Sequence, residues 1–131
     1  MTVAVTRDAL ARLYEEAAKA APEEACGLLL ADDGRIVQIR PAANVAQDRR
    51  IRFEIDPRVL IEAFRAEREG QLQIAGYYHS HPQGTPEPSP CDQEQASADG
   101  RIWAIIGPAE VRFWRDEKEG FSSLPYVVVE A

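Results

Sequence analysis

The sequence is poor in several residue types, and each shortage excludes a class of protein. Two cysteines, Cys26 and Cys91, occur in 131 residues, too few for the disulfide framework of a small secreted domain. No stretch approaches the ~20 apolar residues that cross a bilayer, and the N-terminus becomes charged and amphipathic at once. We therefore expect a cytoplasmic protein with no membrane partner, in which both cysteines are reduced and buried.

Basic residues are also scarce. Lysine and arginine number 15 against 22 aspartates and glutamates, which gives a formal net charge of -7. Nucleic-acid binding normally needs a dense basic surface, so we expect no nucleic-acid partner. The chain is instead ordinary in its 45% hydrophobic content and of a size typical of one compact domain. Residues 1–131 are predicted to form a single domain.

Local patterns predict two longer helices. Thr6 is suited to cap a helix that ends before Pro22. Its inward face should carry residues at helical spacing: Leu10, Leu13, Tyr14 and Ala17. Asp56 followed by Pro57 marks the start of a second helix. That helix should turn these residues inward: Val59, Leu60, Ala63 and Phe64.

Strands are predicted around these helices. ACGLLLA (25–31) and RIVQIR (35–40) flank the turn 32–35 and predict a hairpin, followed by a loop carrying Pro41 and Asn44. Five more apolar runs predict strands: IRFEI (51–55), LQIAGYYHSH (72–81), RIWAIIG (101–107), AEVRFWRD (109–116) and LPYVVVE (124–130). Helices interspersed among strands indicate an α/β fold with a mixed sheet.

The two histidines of the chain, His79 and His81, lie at the end of a predicted strand. Residues i and i+2 of a strand point to one face with Cα atoms about 6.5 Å apart, so both imidazoles can reach one metal ion. Asp92 could supply the carboxylate that completes a catalytic zinc site. Ser89-Pro90-Cys91-Asp92 is equally a capping box, in which Asp92 only satisfies the backbone of a helix start.

Two competing metal arrangements fit less well. Cys91 could donate a thiolate, but on a helix it points about 100° away from Asp92, so only one of the two readily faces the site. A zinc deaminase needs H-x-E followed by P-C-x-x-C. Here His81 stands where the glutamate is needed and Glu94 where the second cysteine is needed, so the motif disfavours a deaminase.

The spacing of His79, His81, Ser89 and Asp92 resembles the motif of the JAMM (MPN+) metalloproteases. That family also has an upstream Glu-x-x-Gly at the start of a strand, matched here by Glu24-Ala25-Cys26-Gly27. Glu23 is an alternative to Glu24, but Glu24 has the matching register. The order of elements is similar over nearly the whole chain, and it implies a mostly antiparallel, curved sheet flanked by helices.

The resemblance implies a role for each motif residue. His79, His81 and Asp92 would bind Zn²⁺ and leave a fourth position open to water. Glu24 would be the general base, and Ser89 would donate a hydrogen bond to the developing oxyanion.

The resemblance also implies a partner: a ubiquitin-like or sulfur-carrier protein, cleaved at a peptide or isopeptide bond after its Gly-Gly C-terminus. The short length favours the microbial members that process sulfur carriers, including those that release a C-terminal cysteine. Alternatives are a metallopeptidase acting on small peptides and a non-catalytic scaffold of the same fold.

Overall fold

The computed structural model describes residues 1–130, and its first long element is helix α1 (Arg7–Ala20). Thr6 caps this helix as predicted, since its Oγ1 accepts a hydrogen bond from the Ala9 amide at 3.2 Å. Leu13 is fully buried. Tyr14 was predicted to face inward, but 39% of its surface is exposed.

Strands β2 (Cys26–Asp32) and β3 (Arg35–Ala42) form the predicted hairpin. Asp33 and Gly34 connect them with φ values of 52° and 78°, the left-handed conformation that matches the twist of a two-residue hairpin. β3 extends through Pro41, which was predicted to lie in a loop. Proline is tolerated there because the strand on the far side of β3, β1 (Val3–Thr6), pairs only with Arg35 and Ile36.

The predicted strand over 51–55 is wrong. This segment is irregular and makes one isolated bridge, between Asn44 and Ile55. The alternation of apolar residues does reflect burial, since Phe53 and Ile55 are buried. The segment packs against the sheet, however, and is not one of its strands. Helix α2 (Pro57–Arg68) then begins as predicted, with the Asp56 carboxylate accepting a hydrogen bond from the Arg58 amide at 3.0 Å.

Five further strands complete one eight-stranded sheet: β4 (Gln73–Ser80), β5 (Ile102–Ile106), β6 (Val111–Glu117), β7 (Gly120–Leu124) and β8 (Tyr126–Val129). A short helix, α3 (Pro90–Gln95), lies between β4 and β5 in the chain. The strand order is β7-β6-β5-β4-β2-β3-β1-β8. The β1–β3, β1–β8 and β4–β5 pairs are parallel and the other pairs are antiparallel. The predicted α/β class with a mixed sheet is therefore confirmed, although β1 and β7 were not predicted.

Two apolar layers cover the sheet, and the central strand β4 contributes to both. Tyr78 packs with Leu13 of α1 on one face, whereas Tyr77 lies on the α2 face with Trp103 and Ala63. The alternation of β4 side chains thus continues to its end, where the histidines lie. Within residues 1–130 no helix combines the length and apolarity that a bilayer crossing requires.

Candidate metal centre

The two histidines converge at the end of β4. His79 is completely buried, and its ring stacks on Phe53 with centroids 4.3 Å apart and lies edge-on to Trp103 at 5.6 Å. His81 follows the last residue of β4 and is 8% exposed. The two Nε2 atoms are 3.1 Å apart. Close packing on the α2 face therefore fixes the ring of His79 and aims its Nε2 at His81.

Asp92 meets both histidines from the first turn of α3. Its Oδ2 atom lies 3.1 Å from Nε2 of His79 and 3.1 Å from Nε2 of His81. The capping box is present as well: the Ser89 amide donates to Asp92 Oδ2 at 2.9 Å, and the Asp92 amide donates to Ser89 Oγ at 3.1 Å. The two interpretations of Asp92 are thus compatible, because the cap holds the carboxylate against the histidines.

The triangle formed by these three atoms has the dimensions of a metal site. Its sides are all 3.1 Å. Ligands about 2.0–2.1 Å from a tetrahedral zinc ion are roughly 3.3 Å from one another. His81 Nδ1 lies 2.7 Å from the Thr85 carbonyl oxygen, which accepts the Nδ1 proton and leaves the Nε2 lone pair free. The residues present therefore fit a zinc ion.

Burial and hydrogen bonding shift the pKa values of the same three residues. Burial would raise the pKa of Asp92, but hydrogen bonds with His79 and His81 hold it well below the usual range. Burial lowers the pKa of His79. Burial also acts to lower the pKa of His81, but its hydrogen bond to Asp92 raises it overall. An ionised carboxylate and a neutral imidazole are the forms that bind metal. The pKa shifts of Asp92 and His79 favour these forms, whereas the raised pKa of His81 means that metal binding competes with a proton on this imidazole.

Glu24 lies beside this triangle, in the connection between α1 and β2. Its carboxylate is within 4.8 Å of the histidine nitrogens, a separation that one water molecule can bridge. Only 5% of the residue is exposed, and Oε1 has no hydrogen-bond partner within the described chain. Burial raises the pKa of Glu24 to about 7. A carboxylate with this pKa can accept and release a proton near neutral pH.

The backbone around Glu24 is held from three directions. The Glu24 amide donates to the Arg49 carbonyl oxygen at 2.7 Å, and the Glu24 carbonyl oxygen accepts from Asn44 Nδ2 at 3.0 Å. The next residue, Ala25, donates its amide proton to Ser80 Oγ at 2.8 Å. Gly27 completes the fit, because a Cβ there would lie 2.5 Å from the Tyr78 ring and collide with a β3 carbonyl. These contacts hold the backbone of Glu24 in place independently of its side chain.

Asn44 is the residue of this site that sequence reasoning missed. Its Nδ2 donates to the carbonyl oxygens of Glu24 and Arg52 at 3.0 and 3.1 Å. Its Oδ1 accepts from the amides of Ala46 and Glu54, both at 3.1 Å. The Asn44 side chain thus connects backbone groups within the irregular segment and links that segment to the backbone of Glu24. An Asn in a loop normally indicates a turn, and nothing local to it indicates the tie to a residue 20 positions away.

The competing residues lie away from the triangle. Glu23 forms an ion pair with Arg49 at 3.3 Å, and both side chains are nearly half exposed. Cys91 was predicted to be buried but is only partly so, with its Sγ 3.4 Å from the Arg52 guanidinium. Cys26 is buried in the α2-side layer, as expected for a small hydrophobic residue. Neither thiol joins the group of atoms around His79.

Comparison with known families gives a match over most of the chain. Residues 6–117 match the model described as prokaryotic homologs of the JAB domain. A desampylase from Haloferax volcanii is 38% identical over 101 residues, covering 76% of this chain and 73% of that protein. A probable TtuB-protein conjugate cleaving protease from Thermus thermophilus is 39% identical over 77 residues, covering 58% of this chain and 51% of that protein.

Solved structures agree with the fold. The solution structure of a protein from Desulfitobacterium hafniense superposes with a TM-score of 0.86 at 26% identity, covering 99% of this chain and 94% of that one. A structure described as a JAMM metalloprotease-like zinc site in the proteasome and signalosome superposes with a TM-score of 0.57 at 18% identity, covering 97% and 99% of the two chains. At that identity, the second match concerns the fold alone.

Proposed function

The chain belongs to the family of prokaryotic homologs of the JAB domain, hydrolases of the JAMM type, and on that premise we propose that it uses zinc to cleave the bond after the C-terminal Gly-Gly of a ubiquitin-like or sulfur-carrier protein. The observation that carries the proposal is the buried triangle of His79 Nε2, His81 Nε2 and Asp92 Oδ2, with a carboxylate oxygen of Glu24 within 4.8 Å of nitrogens of both histidines.

Two histidines and one carboxylate would hold the metal and leave one position for chemistry, which is the arrangement of a catalytic rather than a structural zinc site. A bound zinc ion supplies Lewis-acid activation of a carbonyl group and of a water molecule. The hydrogen bond from His81 to Thr85 keeps the imidazole in the metal-binding tautomer. The stack of His79 on Phe53 excludes bulk water from the back of the site.

Glu24 and Ser89 carry the proton transfer and the charge stabilisation. Glu24 takes a proton from the attacking water and returns it to the leaving nitrogen, and its raised pKa suits both steps. Ser89 Oγ accepts the capping hydrogen bond from the Asp92 amide, so its own hydroxyl proton can be donated to the substrate carbonyl oxygen. Ser89 is not a nucleophile, because both histidines that could activate it face Asp92.

The substrate assignment draws on the relatives. One is named a desampylase and another a protease that cleaves TtuB-protein conjugates. A flexible Gly-Gly terminus also suits a recessed site, because glycine can be held in an extended conformation without side-chain clashes. Within this class, release of a C-terminal residue such as cysteine from a sulfur carrier is the finer activity that we propose, with a link to cysteine biosynthesis.

The test is cleavage of a panel of Gly-Gly-X carrier fusions and one isopeptide conjugate by zinc-loaded protein, with zinc quantified in the same sample. Glu24→Gln should abolish turnover while zinc remains bound. Glu23→Gln is the matched control, since it makes the same change one residue away on a partly exposed side chain that lies outside the triangle, and it should keep the wild-type rate. If the zinc-loaded protein cleaves short peptides but no carrier, the protein is a metallopeptidase of small peptides and the carrier proposal is wrong. Absence of both zinc and activity would indicate a scaffold.

A further inference from the structure

A cavity of about 170 Å³ lies against His81 on the α1 side of the sheet. One wall is a single face of α1 and its C-cap, built from residues at helical spacing: Tyr14, Ala17, Ala18 and Ala21. The opposite wall consists of Ser80, His81 and Pro82 with the segment Ile106–Pro108 that follows β5. His81 therefore belongs both to the metal centre and to the cavity.

The cavity is linked to the metal centre through His81, which lines it, and to Glu24 through the end of α1. The alanine wall ends at Ala21, and the chain reaches Glu24 three residues later. A base that returns its proton to the leaving nitrogen must lie beside the leaving half of the substrate. We propose that this cavity receives the side chain of the residue on the leaving side of the scissile bond and selects one that is uncharged and small or medium in size. This inference rests on the proposed function.

The dimensions of the cavity set an upper limit on that side chain. An apolar cavity of about 150 Å³ accommodates a benzene molecule, so the space here suits side chains from alanine and cysteine up to leucine. The space exists because three consecutive positions of the helical face are alanine. A larger residue at any of them would fill it.

The lining also sets the chemistry of the occupant. It contains no aspartate, glutamate, lysine or arginine, and the Nε2 atom of His81 faces Asp92, so a charged side chain would find no ion-pair partner there. Ser80 adds one polar group: it is 1% exposed, and its Oγ accepts a hydrogen bond from the Ala25 amide. A serine hydroxyl can accept one hydrogen bond and donate another, so this wall offers one polar contact. Uncharged side chains, including that of cysteine, match this environment.

Cleavage of carrier-Gly-Gly-X fusions with X as Gly, Cys, Leu, Asp or Lys tests the selection. Wild-type kcat/KM should be at least about tenfold higher for Leu and Cys than for Asp and Lys. Ala18→Leu should lower kcat/KM for X as Leu at least about tenfold and leave X as Gly within twofold. Ala11→Leu is the matched control, since it lies on the same helix, is exposed and is outside the cavity; it should change neither. Equal rates for all X, or an equal effect of Ala18→Leu on all of them, would overturn the proposal.

A binding measurement decides the case in which no carrier is cleaved. Leucinamide carries the amine that such a cleavage releases, and it should shift the NMR signals of the Gly107 and Ala17 amides in the wild type but not in Ala18→Leu. Inactivity toward every carrier together with these shifts would refute the proposed function and leave the cavity as a site for amino-acid amides. Inactivity without the shifts would refute both.

Discussion

Replacement of Asn44 by alanine should destabilise the protein and slow it without removing its metal. The side chain makes four hydrogen bonds to backbone groups, two of them partly buried and two exposed. Water can replace the exposed pair, whereas each partly buried bond contributes about 1 kcal/mol. The expected loss is about 2 kcal/mol of unfolding free energy, or roughly 6–10 °C in Tm for a chain of this size.

The expected loss of cleavage rate follows from the hydrogen bond between Asn44 and the Glu24 backbone. Without the hydrogen bond from Asn44 Nδ2, the Glu24 carbonyl is no longer held, and displacement of a catalytic group by about 1 Å can cost about a hundredfold in rate. Thermal unfolding of the metal-free protein measures the first effect, and carrier cleavage at saturating zinc measures the second. Zinc affinity should be unchanged because Asn44 contacts neither the histidines nor Asp92.

Asn44→Asp separates the two functions of the side chain. An aspartate can still accept from the Ala46 and Glu54 amides, but it cannot donate to the Glu24 and Arg52 carbonyls. It should therefore recover part of the stability and none of the rate. A fully active Asn44→Asp protein would show that the tie to Glu24 has no role in catalysis, and an unchanged Tm in Asn44→Ala would refute the stability argument.

Three further outcomes are expected. Because the folded-state pKa of Glu24 is about 7, above its ordinary value of 4.5, its contribution to stability is complete below about pH 4.5 and is lost as the pH rises through 7. The Tm of metal-free wild type minus that of Glu24→Gln should accordingly fall between pH 5 and 8.5, and a flat difference would contradict this. Burial raises the pKa of the Cys26 thiol to about 12, so alkylation of the native protein at pH 8 should modify Cys91 alone by mass spectrometry. Asp92→Asn keeps an acceptor for the Ser89 amide, so Tm should hold while zinc affinity, measured by competition with a chelating dye, falls at least tenfold; unchanged affinity would mean that Asp92 only caps α3.

The parts of the fold that sequence patterns predicted are those fixed by neighbouring residues. Thr6, Asp56 and Ser89 each cap the helix that begins one residue later, because a cap is satisfied by amides two or three positions away. The same holds for the Asp33–Gly34 turn. The histidine pair at a strand end needs only the two-residue repeat of a strand.

The parts that were missed depend on distant contacts. Strand β1 has four residues, and its pairing with β8 joins the two ends of the chain. The segment 51–55 has the alternation of a strand but lies over the sheet, where Gln95 rather than another strand pairs with the Phe53 carbonyl. Asn44 and Glu24 meet through the same long-range geometry. No local pattern encodes which partner a segment will find.

X-ray absorption spectroscopy of the zinc-loaded protein tests the central claim most directly, because it reports the atoms bound to the metal. The claim predicts one equivalent of zinc bound by four nitrogen or oxygen ligands at about 2.0–2.1 Å, with outer-shell scattering from two imidazoles and no sulfur at about 2.3 Å. A sulfur ligand, or a spectrum without imidazole scattering, would contradict the assignment of His79, His81 and Asp92 as the zinc ligands.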